Sequence, residues 1–128
     1  MARILVVDDD PMIVKLLRLN LEMEGFEVIE AGDGKAALEA VSKHQPDLVV
    51  CDVMMPNLNG LEVVARLRKD GAHPDLPVVL LSAKAQAMDV QHGLGAGADE
   101  YLTKPFDPDD LIAVVHRLLE RSQGEGPS

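Results

Sequence analysis

Asp8, Asp9 and Asp10 follow the apolar run Ile4–Val7, Asp52 follows Leu48–Cys51, Ser82 follows Val78–Leu81, and Lys104 with Pro105 follows Glu100–Thr103. Acids, a hydroxyl and an ammonium thus stand at the C-terminal ends of strand-like segments. In an open parallel sheet, ligands bind outside those ends, near the point where strand order reverses. Adjacent strands would bring Asp8, Asp9 and Asp52 within several ångströms of one another. Two like charges ~5 Å apart at an effective dielectric of ~20 repel by roughly 3 kcal/mol. Such a cluster requires a cation. Oxygen ligands, with no Cys or His at the strand ends, suit Mg²⁺ better than Zn²⁺. Lys104 adds a fixed positive charge and Ser82 a hydroxyl donor. The plainer alternative is helix capping, and Asp10 before Pro11 is expected to do only that. Capping does not explain acid, acid, hydroxyl and ammonium at separate strand ends.

The elements that must position these groups alternate along the chain. Strands are expected at Ile4–Val7, Glu27–Glu30, Leu48–Cys51, Val78–Leu81 and Glu100–Thr103. The Val/Leu/Ile-rich runs suit central strands covered on both faces, whereas the more polar Glu27–Glu30 suits an edge. Between them lie amphipathic stretches. Their stripes are Ile13, Leu16, Leu17 and Leu21; Ala37, Leu38 and Val41; Leu61, Val64 and Leu67; and Leu111, Val115, Leu118 and Leu119. A weaker helix is expected at Gln86–Leu94, loosened at its end by Gly93, Gly95 and Gly97. Asp10-Pro11 and Asp107-Pro108 read as N-caps followed by proline, and Asn59 with Glu62 as a capping box. The order predicts an α/β fold, a parallel sheet wrapped by helices on both faces. Residues 1–121 form the expected domain, and Ser122–Ser128 a disordered tail or linker start.

Bulk properties narrow the function. The chain has 128 residues, enough for one core, and its 47% hydrophobic content with 2% aromatics implies packing by aliphatic side chains. A net charge of −10 disfavours direct nucleic-acid binding by this domain. The lone Cys51 excludes an internal disulfide, and the apolar runs are too short to span a bilayer. Met1-Ala2-Arg3 runs straight into a strand, which leaves no room for a signal peptide, so no membrane partner and a cytoplasmic location are expected.

The segments ILVVDDD (Ile4–Asp10), VVCDVMMPNLNG (Val49–Gly60), VVLLSA (Val78–Ala83) and GADEYLTKPF (Gly97–Phe106) closely resemble the receiver domains of bacterial two-component response regulators. The resemblance extends to about Arg121. It implies a flavodoxin-like, doubly wound five-stranded sheet in the order 2-1-3-4-5 with five helices. It also implies that Asp52 accepts a phosphoryl group from the phosphohistidine of a sensor histidine kinase or histidine phosphotransfer protein. Asp9 resembles a direct Mg²⁺ ligand, Asp8 an acid holding the metal through water, and Met54 the residue donating a backbone carbonyl to it. Ser82 matches the switch hydroxyl, Tyr101 the switch aromatic, Lys104 the family's lysine, and Lys104-Pro105 its cis peptide. Phosphorylation is expected to move Ser82, let Tyr101 turn into the vacated space, and alter the face of helix four, strand five and helix five. The chain is then a phospho-acceptor that assists its own phosphorylation and dephosphorylation, not a conventional enzyme.

Other features weigh less. Cys51 reads as an inert core thiol, and His44, His73, His92 and His116 have no ligand spacing. Gly32-Asp33-Gly34 reads as a turn. Met54 and Lys84 are expected to flank the pocket mouth and tune water access. Where transcription-factor receivers carry basic residues that pair across a dimer of the helix four, strand five and helix five face, this chain has Val90 and Val114. That departure questions a charge-paired homodimer and suggests a small apolar patch for another partner. The rival readings are a phosphorylation-independent pseudo-receiver acting as an interaction module, an aspartyl phosphatase and a flavodoxin-type cofactor binder. Met54 stands where such phosphatases place a second acid, and the acidic first loop opposes an uncomplexed phosphate.

Overall fold

A computed structural model describes residues 2–69, 72–83 and 87–124, with backbone alone for 87, 88 and 122–124. The elements alternate as β1 (Arg3–Val7), α1 (Pro11–Met23), β2 (Glu27–Ala31), α2 (Gly34–His44), β3 (Leu48–Asp52), α3 (Gly60–Arg68), β4 (Val78–Ser82), α4 (Ala87–Gly95), β5 (Glu100–Thr103) and α5 (Pro108–Gly124). All strand pairs are parallel, in the order β2-β1-β3-β4-β5. The reversal of strand order falls between β1 and β3, which brings the ends carrying Asp8 and Asp52 side by side.

Alternation along the strands divides the core in two. Leu5, Val7, Val49, Cys51, Val78 and Leu80 pack with α2, α3 and the Val90 side of α4. Ile4, Val6, Leu48, Val50, Val79 and Leu81 pack with α1 and α5. β1, β3 and β4 are covered on both faces, hence their unbroken apolar runs. β2 lies at an edge, as its polar residues predict, and β5 occupies the other.

The expected caps form. Asp10 accepts the Met12 N–H at 2.9 Å and Asp107 accepts the Asp109 N–H at 2.8 Å, and Asp33, expected only as part of a turn, also caps α2 by accepting the Ala36 N–H at 2.7 Å. Asn59 and Glu62 close a reciprocal capping box at the start of α3. Gly32-Asp33-Gly34 is thus a turn leading into a cap.

Some expectations need correction. On α1 the buried stripe is Val14, Leu17 and Leu21, while Leu16 is 45% exposed. That helix carries apolar residues around much of its circumference, so period alone could not choose the core face. On α3, Val63 joins Val64 and Leu67 inside, and Leu61 is only partly buried. α4 begins at Ala87, and Gln86 lies outside the described residues. α5 continues through the expected boundary at Arg121 to Gly124, since Ser122 and Gln123 offer no helix breaker before the glycine. Val90 and Val114 are each partly buried, and they pack against opposite core halves. Charge on that side is paired within the chain, Arg117 with Glu100 and Arg121 with Asp99.

Candidate functional site

The C-terminal ends of β1, β3, β4 and β5 converge. Asp8 and Asp52 are buried and Asp9, beside them, is exposed. One carboxylate oxygen from each of these acids lies within 4.8 Å of the others. Lys104 Nζ bridges the buried pair, 2.8 Å from Asp8 Oδ2 and 3.1 Å from Asp52 Oδ1. Asp8 also accepts the Asp10 N–H at 2.9 Å, which fixes its rotamer. The Lys104-Pro105 peptide is cis, as the resemblance implies.

The electrostatics follow from burial. Loss of water raises the Asp52 pKa, the Lys104 hydrogen bond opposes this, the Asp8 charge adds to it, and the Met54 backbone N–H lowers it. Lys104 is also desolvated, which favours the neutral amine. Its bonds to Asp8 and Asp52 outweigh that effect, and its pKa is raised. A single ammonium thus serves two buried carboxylates, with a third carboxylate open to solvent. An all-oxygen cluster with one exposed member fits a hard divalent cation such as Mg²⁺, which retains several waters.

Ser82 is fully buried at the end of β4. With Val53, Met54, Asn59, Asp89 and Tyr101 it lines a cavity of about 170 Å³ between the loop after Asp52 and α4. Met54 is exposed at this opening, as expected, and Lys84 lies outside the described residues. Tyr101 is itself buried, 8% exposed. Cys51 is buried on the α2 and α3 side, where desolvation, with the charges of Asp52 and Asp8, pushes its thiol pKa far up. Of the histidines, His92 also lines this cavity, none belongs to the acidic cluster among the described residues, and His116 contacts Glu24 and Phe26.

Gly60 was missed by the sequence reading as a site residue. Its N–H donates to Val53 O at 3.0 Å, and a Cβ there would stand 2.4 Å from Asp52 O. Glycine at this position lets α3 begin against the acceptor backbone. The available signal was a glycine directly after the Asn59 cap, inside the segment that carries Asp52.

The family model described as response regulator receiver domain matches residues 4–116. Curated relatives include the DNA-binding dual master transcriptional regulator RpaA of Synechocystis, 45% identical over 122 residues, covering 95% of this chain and 51% of RpaA. The alkaline phosphatase synthesis transcriptional regulatory protein PhoP of Bacillus subtilis is 46% identical over 126 residues, 98% of this chain and 52% of PhoP. The chain spans about half the length of these relatives. Among solved structures, the receiver domain of Francisella response regulator 1452 superposes with a TM-score of 0.90 at 38% identity, covering 95% of this chain and 99% of that one. A CheY-like receiver domain protein from Methanospirillum hungatei gives a TM-score of 0.91 at 30% identity, with 98% and 99% coverage.

Proposed function

The chain belongs to the response regulator receiver family of two-component systems, and from that premise we propose that Asp52 is the phospho-acceptor of a Mg²⁺-dependent switch. The carrying observation is the bridge of Lys104 to two buried carboxylates beside an exposed third. A carboxylate oxygen of Asp52 attacks the phosphorus of a phosphohistidine; the O–P bond forms as the P–N bond to imidazole breaks. Lys104 exchanges part of its contact with Asp52 for a phosphoryl oxygen, and Ser82 turns its hydroxyl toward another. Asp8, Asp9, Asp52 and the Met54 carbonyl would hold Mg²⁺, which supplies charge neutralisation for the phosphoryl oxygens. The resulting acyl phosphate is open to later hydrolysis, which the chain's own site groups assist.

A phosphohistidine donor needs a docking surface next to the pocket. Met12, Leu16, Leu19 and Met23 of α1 are all exposed. At ~100° per residue they fall within roughly 60° of arc, a narrow apolar stripe that starts beside Asp9 and Asp10. This stripe supports α1 as the face that meets a helical segment of the sensor kinase or phosphotransfer protein. Ser82 and Tyr101 couple the pocket to α4, β5 and α5, the face offered to a partner or to an output segment. RpaA is named as DNA-binding and is about twice as long as the matched stretch. We assign DNA binding, if this chain serves it, to an output region and not to this acidic domain. A cytoplasmic location follows from a kinase-linked role.

Intact-mass measurement after a small phosphodonor tests the reading. The expected result is a gain of one phosphoryl group that needs Mg²⁺ and disappears in Asp52→Asn and Asp9→Asn. No gain with any donor would replace it with a phosphorylation-independent receiver.

A further inference from the structure

The buried ring of Tyr101 lies against a position with no side chain. A Cβ built on Gly93 of α4 would stand 2.7 Å from Tyr101 Cδ2, 3.1 Å from Tyr101 Cε2 and 3.1 Å from Leu80 Cδ1. The Leu80 methyl is the end of a flexible chain and can swing away. The aromatic Cδ2 and Cε2 are held in the ring plane and clear the contact only if the ring itself turns about χ1 or χ2.

Backbone conformation does not explain the glycine. Among the described residues, the positive-φ glycines are Gly25 and Gly97. Gly93 lies inside a helix, where glycine costs ~1 kcal/mol relative to alanine. Gly95, two residues on, has nothing within 4 Å of a built Cβ. Space for the ring is what distinguishes Gly93.

We infer that Gly93 is a positioning residue for Tyr101: it admits the ring to the core, so the ring's orientation is set from α4 as well as from the Ser82 side. Ser82 and Tyr101 line the same cavity. A side chain at position 93 would drive the ring outward onto the β5 surface and uncouple it from Ser82. The Gly93 contact with the ring does not depend on the phosphotransfer reading, whereas its meaning for signalling rests on the proposed function.

The chain contains one tyrosine and no tryptophan, so its intrinsic fluorescence reports Tyr101 alone. Acrylamide quenching of the parent, Gly93→Ala and Gly95→Ala, without any phosphodonor, tests the inference. The expected result is a several-fold rise in the quenching constant for Gly93→Ala, with Gly95→Ala matching the parent. Equal quenching in all three overturns it, as does an equal rise in both variants, which would mean a general loosening of α4. Should Gly93→Ala fail to fold, thermal unfolding of the Gly93→Ala/Tyr101→Leu pair decides. Recovery of folding in the pair supports the clash, and persistent loss overturns it. Absence of phosphorylation in the parent would overturn the phosphotransfer reading, while the quenching comparison would still decide Gly93.

Discussion

Lys104 Nζ lies 3.1 Å from Asp52 Oδ1, linking the ends of two strands, β5 and β3, that are not neighbours in the sheet. The same ammonium reaches Asp8 at the end of β1. One side chain therefore crosses the mouth of the sheet and compensates the charges that its folding brings together.

Lys104→Met leaves Asp8 and Asp52 buried without their shared donor. The loss expected in chelator is about 2–3 kcal/mol, the cost of stripping a charged partner from buried acceptors. Because the folded pKa of Lys104 is raised, this contribution is complete below the ordinary lysine value of ~10.4 and fades as pH rises through the folded value. Urea denaturation of both proteins at stepped alkaline pH measures it. A pH-independent difference would refute the assignment.

Asp52 follows the same direction in a more acidic window. Burial raises its folded pKa, so the folded protein holds this proton more tightly than the unfolded chain. In metal-free protein its contribution to stability is lost as pH rises from the ordinary ~3.9 through the higher folded value. Across that window Asp52→Asn should gain stability relative to the parent and then plateau. A flat difference between the two denaturation curves would contradict this.

Gly60→Ala places a methyl against the backbone of the acceptor, where no side chain can yield. We expect a loss of about 2–3 kcal/mol together with slower phosphorylation of the folded fraction. Calorimetry and intact-mass time courses check both parts, and a variant of parental stability would exclude the contact.

Arg68 acts at the opposite pole. It donates to Gly97 O, His73 O and Asp99, while Asp99 also accepts the Val78 N–H at 2.8 Å. Arg68→Ala should cost about 2 kcal/mol through the acceptors it abandons. Phosphorylation of the folded protein should keep its parental rate; a specific loss of that rate would show that the clamp reaches the site.

Cys51 should stay silent toward a disulfide reagent in the native state, because burial holds the thiol neutral and out of contact. Labelling should follow urea-induced unfolding, and prompt reaction without denaturant would show an open core.

The sequence by itself determined much of this protein. Strand and helix order, the caps at Asp10, Asp107 and Asn59, and the placing of Asp8, Asp9, Asp52, Ser82 and Lys104 at strand ends all follow from local signals of period and capping. Position along the chain is enough to put a residue at a strand end. The tertiary structure alone decided which face of α1 is buried, because an apolar residue at 14 or 16 satisfies the helix equally until the sheet is present. It set Val90 and Val114 against opposite core halves, since which half a helix covers depends on the topology. It also set the closeness of Gly60 to Asp52 and of Gly93 to Tyr101. A glycine carries no side chain to reveal what approaches it; only the packed neighbour does. The acidic cluster was legible from sequence, and the spaces that hold its partners in place were not.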